Sequence, residues 1–173
     1  MGEKQKYIGK SFKFEGLFNY RDFFRIMDVW LRDKFFDKYE KRNEEYVKPD
    51  GTKTVDIEFT PWKKYTDYYK AVFKIEIMIS DMKEVEIEQN GQKVRLNKGK
   101  INFKVTGYLI VDYEDRWNKA LQYFIRDIFD KFVNRAITKK YHDLLITDCN
   151  DFVNTLTSYL NMNAYKLSGG MTT

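Results

Sequence analysis

The chain is poor in the residues that build disulfide-stapled or metal-bound domains. Its 173 residues include one cysteine, one histidine, two prolines and nine glycines. A single cysteine, Cys149, excludes an intramolecular disulfide and a zinc finger, and the single histidine, His142, excludes metal sites built from several histidines. The shortage of glycine and proline excludes long low-complexity linkers. We therefore expect one domain held together by its core, without metal or cofactor.

Long hydrophobic runs are also missing from the sequence. No apolar stretch approaches the ~20 residues that a membrane-spanning helix requires. The first ten residues, MGEKQKYIGK, are polar and lack the apolar region of a signal peptide. Lys6 stands where a myristoylation motif needs serine or threonine. The sequence therefore predicts a soluble, cytoplasmic protein with no transmembrane segment.

Charge is abundant but evenly distributed. The net charge is +5, and basic groups exceed acidic groups by two, two and one in residues 1–50, 51–100 and 101–173. Nucleic-acid-binding proteins concentrate cations on one face, because each phosphate contact needs a nearby positive charge. Nucleic-acid binding is therefore the least favoured of the functions considered below.

The middle of the chain has the alternating pattern of half-buried strands. Residues 54–60, 69–79 and 101–111 each place apolar side chains at every second position. Between them, Asn90-Gly91 is the preferred dipeptide of a two-residue hairpin loop, and its register sets Ile87 opposite Val94. A short edge strand is expected at residues 11–15. Residues 80–83 fit either a turn or a bend within one strand, and a second turn is expected near Gly99.

Helical spacing appears on both sides of these strands. Asn19 has the features of an N-cap, and the apolar stripe that follows it predicts a long first helix reaching about Tyr46. Residues 115–141 carry apolar side chains at repeated i, i+3, i+4 spacing, which predicts a helix roughly 40 Å long. A short last helix is expected to begin at Thr147 or Asp148.

The order of elements predicts an α+β domain over residues 1–173, with residues 1–10 and 168–173 flexible. We expect a curved antiparallel sheet of four to five strands packed against a long C-terminal helix, with a long N-terminal helix and a short final helix. This arrangement resembles the helix-grip architecture of lipid-transfer and hydrophobic-ligand domains. The resemblance concerns architecture alone, and no motif assigns a family.

Catalytic patterns are weak in this sequence, so an enzyme is the less favoured reading. Cys149 follows an expected N-cap, where the helix dipole lowers a thiol pKa, and His142 is seven residues away. A buried structural cysteine explains the same pattern better. Asp112, Glu114 and Asp115 form an acidic group that helix capping explains without a bound cation.

The best site candidate is the segment of residues 62–69, which mixes cations with aromatic rings. Such segments anchor protein partners or stack on bases and sugars, or else they fold back over the core. The candidate binding residues are Trp62, Lys63, Lys64, Tyr65 and Tyr68, with Trp30 from the wide stripe of the first helix.

The favoured function is a non-enzymatic binding or assembly module with a protein partner or a second copy of the chain. One alternative is a pocket for an apolar small ligand between the sheet and the long helix. Five side chains are expected to line it: Phe73, Ile75, Phe103, Phe124 and Ile128.

Overall fold

The structure, a computed structural model, describes residues 3–89, 92–111 and 135–168. The fold is α+β with an antiparallel sheet, as the sequence predicts. The described part contains six strands and two helices, so the expected number of four to five strands is wrong. In chain order the elements are β1 (Glu3–Phe18), α1 (Tyr20–Asp33), β2 (Glu40–Val47), β3 (Lys53–Phe59), β4 (Trp62–Lys64), β5 (Tyr69–Gln89), β6 (Gln92–Val111) and α2 (Arg135–Ser168).

The long hairpin of β5 and β6 forms the centre of the sheet. The strand order is β1-β6-β5-β3-β2, and β4 pairs with β5 beside β3. The predicted register is confirmed, because Ile87 lies opposite Val94 and Gln89 opposite Gln92. Two residues remain for the loop, in agreement with the predicted loop length. Complementary side chains on each face, with acids opposite bases, fix this register.

Residues 80–83 are a bulge within β5, and the predicted turn near Gly99 is wrong. The register with β6 shifts between Ser80 and Lys83, and Asp81 has a φ of 54°. Gly99 lies opposite this bulge, where an added Cβ would come within 3.2 Å of the Ser80 carbonyl oxygen. The glycine therefore lets β6 pass the bulged backbone and does not reverse the chain.

The first strand is longer than predicted, because it begins at Glu3 and not at Ser11. It pairs with β6 along its whole length, including residues expected to form a flexible arm. The register shifts between Lys6 and Ile8, opposite Gly107. A Cβ on Gly107 would lie only 2.8 Å from Ile8 Cγ2. Gly107 therefore allows the two strands to approach each other closely at this register shift.

The first helix is much shorter than predicted. Asn19 is the N-cap, and its side-chain oxygen accepts a hydrogen bond of 3.1 Å from the backbone N–H of Asp22. The helix ends at Asp33, however, and residues 40–47 form β2 against β3. The residues of β2 include good helix formers, but pairing with a neighbouring strand outweighs that intrinsic preference.

The last helix is longer than predicted. α2 runs from Arg135 to Ser168 without a break, so Thr147 and Asp148 are interior helix residues and not an N-cap. The predicted helix over 115–141 lies mainly outside the described residues, and so does its expected core stripe. The stripe of α2 itself is buried, and it packs against β1, β6 and α1. Its fully buried members are Leu145, Cys149, Phe152, Leu156 and Leu160.

One core fills the space between the sheet and the two helices. The apolar sides of β3, β5 and β6 meet buried side chains from α1 and α2. Phe152 joins these layers, with its ring centroid 4.7 Å from that of Trp30 and 5.9 Å from that of Phe103. A sheet covered by a long C-terminal helix is present, but the helix-grip resemblance itself is not confirmed.

No helix in the described ranges combines the length and the apolar character needed to cross a membrane.

Candidate functional site

The six predicted binding residues do not form one exposed surface. Trp30 is buried in the core, and Lys63 and Tyr65 turn inward towards α2. Trp62 is half-buried in β4 below the Lys70 ammonium, which lies 3.9 Å from its ring centroid. Lys64 is exposed, whereas Tyr68 is half-buried against the core. The structure therefore brings together three of the six residues, at the junction of α1, β4 and α2.

A buried ion pair forms the centre of this junction. The Lys63 ammonium donates a hydrogen bond of 2.5 Å to the carboxylate of Asp148, and the two side chains are only 15% and 12% exposed. The same ammonium lies over the rings of Phe36 and Tyr65, at 4.6 and 5.1 Å from their centroids. Because Lys63 loses most of its hydration here, both the carboxylate and the rings are needed to stabilise its charge.

A second ion pair ties the end of α1 to α2. Lys34 is the C-cap of α1, and its ammonium lies 3.1 Å from the carboxylate of Asp151. That carboxylate also accepts a hydrogen bond of 3.0 Å from the Trp30 indole. Hydrogen bonds from Lys34 and Trp30 hold the pKa of Asp151 below its usual range. We call Trp30, Lys34, Lys63, Asp148 and Asp151 the anchor cluster, because together they fix the end of α1 against α2.

Tyr65 extends the junction with an unsatisfied polar atom. Its ring stacks on that of Tyr141 of α2, with centroids 5.3 Å apart, and its hydroxyl is buried without a hydrogen-bond partner of good geometry among the described residues. Burial raises the pKa of Tyr65, and the nearby carboxylate of Asp148 raises it further. The hydroxyl therefore stays protonated at any physiological pH, and its role here is packing.

Next to the anchor cluster lies a residue that the sequence interpretation missed. Phe35 has a φ of 59° and its side chain is 86% exposed. The N–H of Phe35 bonds to the carbonyl of Arg32, and the N–H of Phe36 bonds to the carbonyl of Leu31. These are the two hydrogen bonds of a Schellman C-cap, whose left-handed position is normally glycine. A bulky aromatic residue at that position costs roughly 1–2 kcal/mol of strain.

The ring of Phe35 stands beside a surface hollow. The hollow has a volume of about 480 Å³ and is lined by apolar side chains and by charges of both signs. Its residues, which we call the Phe35 surface, are Asp28, Leu31, Arg32, Phe35, Phe36, Asp37 and Lys38. Lys38 is paired with Asp28 at 3.0 Å. The surface thus offers an exposed ring and a neighbouring depression with little uncompensated charge.

No sequence signal marked Phe35 as exposed. The sequence Lys34-Phe35-Phe36 continues the apolar stripe of α1. A helix continued through these residues would be predicted to bury both phenylalanines. A glycine at residue 35 would have indicated the end of the helix in the sequence. Because phenylalanine occupies the left-handed position, the helix end became visible only in the structure.

The catalytic alternative for Cys149 is wrong in its physical basis, and the favoured interpretation of a buried structural cysteine is confirmed. Cys149 lies in the interior of α2, away from the N-terminus of that helix, and is fully buried. Burial raises the pKa of its thiol to about 11, above the ordinary value of 9.0. His142 packs edge-on against the Tyr7 ring, with centroids 4.4 Å apart. The acidic group Asp112, Glu114 and Asp115 lies outside the described residues.

The outer face of the sheet carries charges that neutralise one another. Lys74 pairs with Glu58 and Glu76, and Lys104 pairs with Glu76. Across the edge, Arg42 pairs with Asp56 at 3.0 Å. Because these three cations each have an acidic neighbour, their positive charge is largely compensated.

Three side chains of the expected ligand pocket are packed against other core residues. Phe73, Ile75 and Phe103 are fully buried. The Phe73 ring stacks on Phe36 at 4.8 Å and faces Phe152 at 6.3 Å. The other two expected lining residues, Phe124 and Ile128, lie outside the described residues.

Within the described ranges, no three His, Cys, Asp or Glu side chains come together as a metal site would require. Comparison with known proteins finds no relative from which a site could be transferred. No protein-family model matches the chain, and no curated protein or solved structure shows significant similarity to it.

Proposed function

We propose that this protein is a non-enzymatic binding or assembly module that holds a protein partner through the Phe35 surface. The observation that carries the proposal is the conformation of Phe35, an exposed aromatic ring held in a left-handed backbone. Large aromatic side chains dominate the binding energy of many protein interfaces because they bury much apolar area with few rotatable bonds.

The backbone strain supports a role in binding and not in folding. Glycine at residue 35 would satisfy the same two capping hydrogen bonds without the steric cost. Phe35 gains little from burial in the fold, since the residue is 86% exposed. Strained residues that contribute little to the core occur most often at functional positions. The strained backbone at Phe35 therefore serves to keep its ring exposed for a partner.

The anchor cluster supports the proposal because it holds the backbone beside Phe35 in a fixed position. Lys34, immediately before Phe35, is held by Asp151 at 3.1 Å. Phe36, immediately after it, is buried and stacks on Phe73. Phe35 is thus fixed on both sides, so its ring loses little conformational freedom when a partner binds.

The charges around Phe35 indicate the chemistry of the partner. Three cations (Arg32, Lys34, Lys38) and three acids (Asp28, Asp33, Asp37) surround it, so their formal charges cancel. A patch with no net charge does not select a strongly acidic or basic ligand. The partner expected is a protein surface with an apolar pocket that accepts the ring.

Replacing Phe35 by glycine separates binding from folding. We expect Phe35→Gly to raise the free energy of unfolding by about 1 kcal/mol, because the left-handed strain disappears. The same change removes the ring and should abolish partner binding. Urea denaturation measures the first effect, and quantitative affinity capture from an extract of the source cells measures the second.

The control is Phe35→Tyr, which keeps an aromatic ring and should keep both the strain and the bound proteins. The proposal is contradicted if Phe35→Gly and the original chain retain the same proteins in equal amounts. It is also contradicted if Phe35→Gly is less stable than the original chain, because the ring would then belong to the fold.

A further inference from the structure

The second edge strand has a self-complementary charge sequence. β2 pairs with β3 on one side only, and no described strand pairs with its other side. All eight of its residues are exposed. At its centre the sequence reads Lys41, Arg42, Asn43, Glu44, Glu45, which is two cations and two acids arranged symmetrically about an asparagine.

An exposed strand edge pairs readily with another strand, and many proteins protect such edges with charged side chains, especially lysine, or with prolines and bulges. The edge of β2 is different, because the acids in its second half would attract the bases in the first half of another copy. Two parallel copies would oppose like charges. Two antiparallel copies would oppose unlike charges.

We propose that two copies of this chain associate by antiparallel pairing of their β2 strands, with Asn43 on the two-fold axis. In this register Arg42 lies opposite Glu44 of the second copy, and Lys41 lies opposite Glu45. The two-fold repeats both pairs, which gives four opposite-charge cross-strand contacts. The six-stranded sheet then continues across the axis into the second copy.

Other antiparallel registers are less favourable. A shift that places Glu44 opposite Lys41 also brings Glu40 opposite Glu45, which is a repulsive contact. A shift that places Arg42 opposite Glu45 leaves Lys41 opposite Tyr46 and halves the number of ion pairs. The register centred on Asn43 therefore has the largest number of opposite-charge contacts along this strand.

The side chains that would form these contacts remain accessible. Arg42 already bonds to Asp56 at 3.0 Å, and Glu45 is bonded by Lys53 at 2.7 Å. These partners lie on β3, on the inner side of β2. Because the side chains of β2 are exposed, each can share its charge with a second partner across the edge.

The inference rests on the assembly part of the proposed function but uses a different surface from Phe35. The Phe35→Gly variant should therefore associate as the original chain does. Loss of partner capture with unchanged association is the expected result for Phe35→Gly. Loss of both in this variant would contradict the use of β2 as a separate surface.

Site-specific cross-linking tests the register. In Asn43→Cys, two cysteines face each other across the axis at a distance that a disulfide spans. Mild oxidation should convert most of this variant to a covalent dimer on a non-reducing gel. The native cysteine does not interfere, because Cys149 is fully buried.

The matched control is Val47→Cys, on the same exposed strand. In the proposed register the two residues at position 47 lie eight positions apart along the paired strands, or about 27 Å. This variant should stay monomeric on the gel under the same oxidation. The inference is overturned if Asn43→Cys does not cross-link, or if Val47→Cys cross-links equally well.

Charge reversal provides an independent test in solution. Lys41→Glu with Arg42→Glu makes the charged residues around Asn43 all acidic, and Glu44→Arg with Glu45→Lys makes residues 41, 42, 44 and 45 all basic. Each double variant should dissociate at concentrations roughly tenfold or more above those at which the original dimer dissociates. An equimolar mixture of the two should form heterodimers, measured by analytical ultracentrifugation. Persistent self-association of either double variant, or a mixture that stays monomeric, would refute the pairing.

Discussion

At the scale of single residues, the environment of α2 decides what each polar side chain does. Asp148 and Cys149 are neighbours in sequence, yet one faces the Lys63 ammonium and the other lies in the apolar core. The sequence predicts that both residues lie at the start of a helix, where their side chains would contact solvent and backbone N–H groups. The helix instead runs through this point, so burial and ion pairing replace capping as the dominant effects.

The thiol of Cys149 should be unreactive in the folded protein. Its burial and its pKa of about 11 leave almost no thiolate at pH 8. A thiol reagent at pH 8 should label the protein only when urea unfolds it. Rapid labelling of the native protein at this pH would show that Cys149 is accessible after all.

The same pKa shift predicts a loss of stability in alkali. The folded-state pKa lies above the ordinary value of 9.0, so the unfolded chain loses this proton first as the pH rises. The stabilisation is complete below pH 9 and is lost as the pH rises through about 11. By pH 10.5 the loss should be on the order of 1–2 kcal/mol relative to Cys149→Ala, measured by urea denaturation.

The pair Lys63–Asp148 should show strong energetic coupling. Asp148→Leu leaves the buried Lys63 ammonium without a carboxylate and should cost about 3–5 kcal/mol. Lys63→Met should cost less, about 1–3 kcal/mol, because Lys34 remains 3.8 Å from the Asp148 carboxylate. The double variant should be more stable than the sum of the two losses implies. Urea denaturation of the four proteins completes the cycle, and strictly additive losses would disprove the coupling.

At the scale of elements, the strands were predictable and the ends of the helices were not. Alternation over residues 54–60 and 69–79 identified β3 and the first half of β5, and Asn90-Gly91 set the hairpin register. These signals are local, so sequence alone carries them. The end of α1 depends instead on a left-handed phenylalanine and on pairing between β2 and β3. The strand pairing is a tertiary effect, and phenylalanine has no preference for the left-handed conformation, so the local sequence pattern reveals neither.

Gly107 should tolerate no side chain. An added Cβ would lie 2.8 Å from Ile8 Cγ2, so Gly107→Ala should cost about 1–3 kcal/mol through overpacking. Thermal or urea unfolding measures the loss, and adding Ile8→Ala should recover part of it. Gly9→Ala is the matched control, because its Cβ meets only the end of the Lys6 side chain at 3.6 Å. Equal losses for both alanine variants would mean that the contact with Ile8 is not responsible.

At the scale of the whole molecule, one aromatic contact network joins the sheet to both helices. Phe152 of α2 contacts Trp30 of α1, Phe73 of β5 and Phe103 of β6. The predicted binding residues Trp30 and Tyr65 join the same interior. Their exposure could not be predicted because an aromatic residue serves a core and an interface equally well. Only the positions of the neighbouring elements decide between the two.

Removing the Phe152 ring should therefore weaken the entire fold. We expect Phe152→Ala to lower the free energy of unfolding by about 3–5 kcal/mol, through lost burial and a cavity. Met162→Ala, on an exposed part of the same helix, should change it by less than about 0.5 kcal/mol. Urea denaturation measures both changes and can be followed by tryptophan fluorescence, to which Trp30 contributes together with Trp62 and Trp117. Similar losses in both variants would show that the core is not organised around Phe152.

The far end of the β5–β6 hairpin extends beyond its neighbours. β3 pairs with β5 only as far as Met82, and β1 pairs with β6 only as far as Asn97. Beyond these points residues 85–89 and 92–96 pair with each other, and no third strand among the described residues supports them. A lone two-stranded ribbon has marginal stability. The amide protons of this ribbon can therefore exchange with solvent by local opening. The amide protons near Phe73 and Phe103 are expected to exchange only when the whole molecule unfolds.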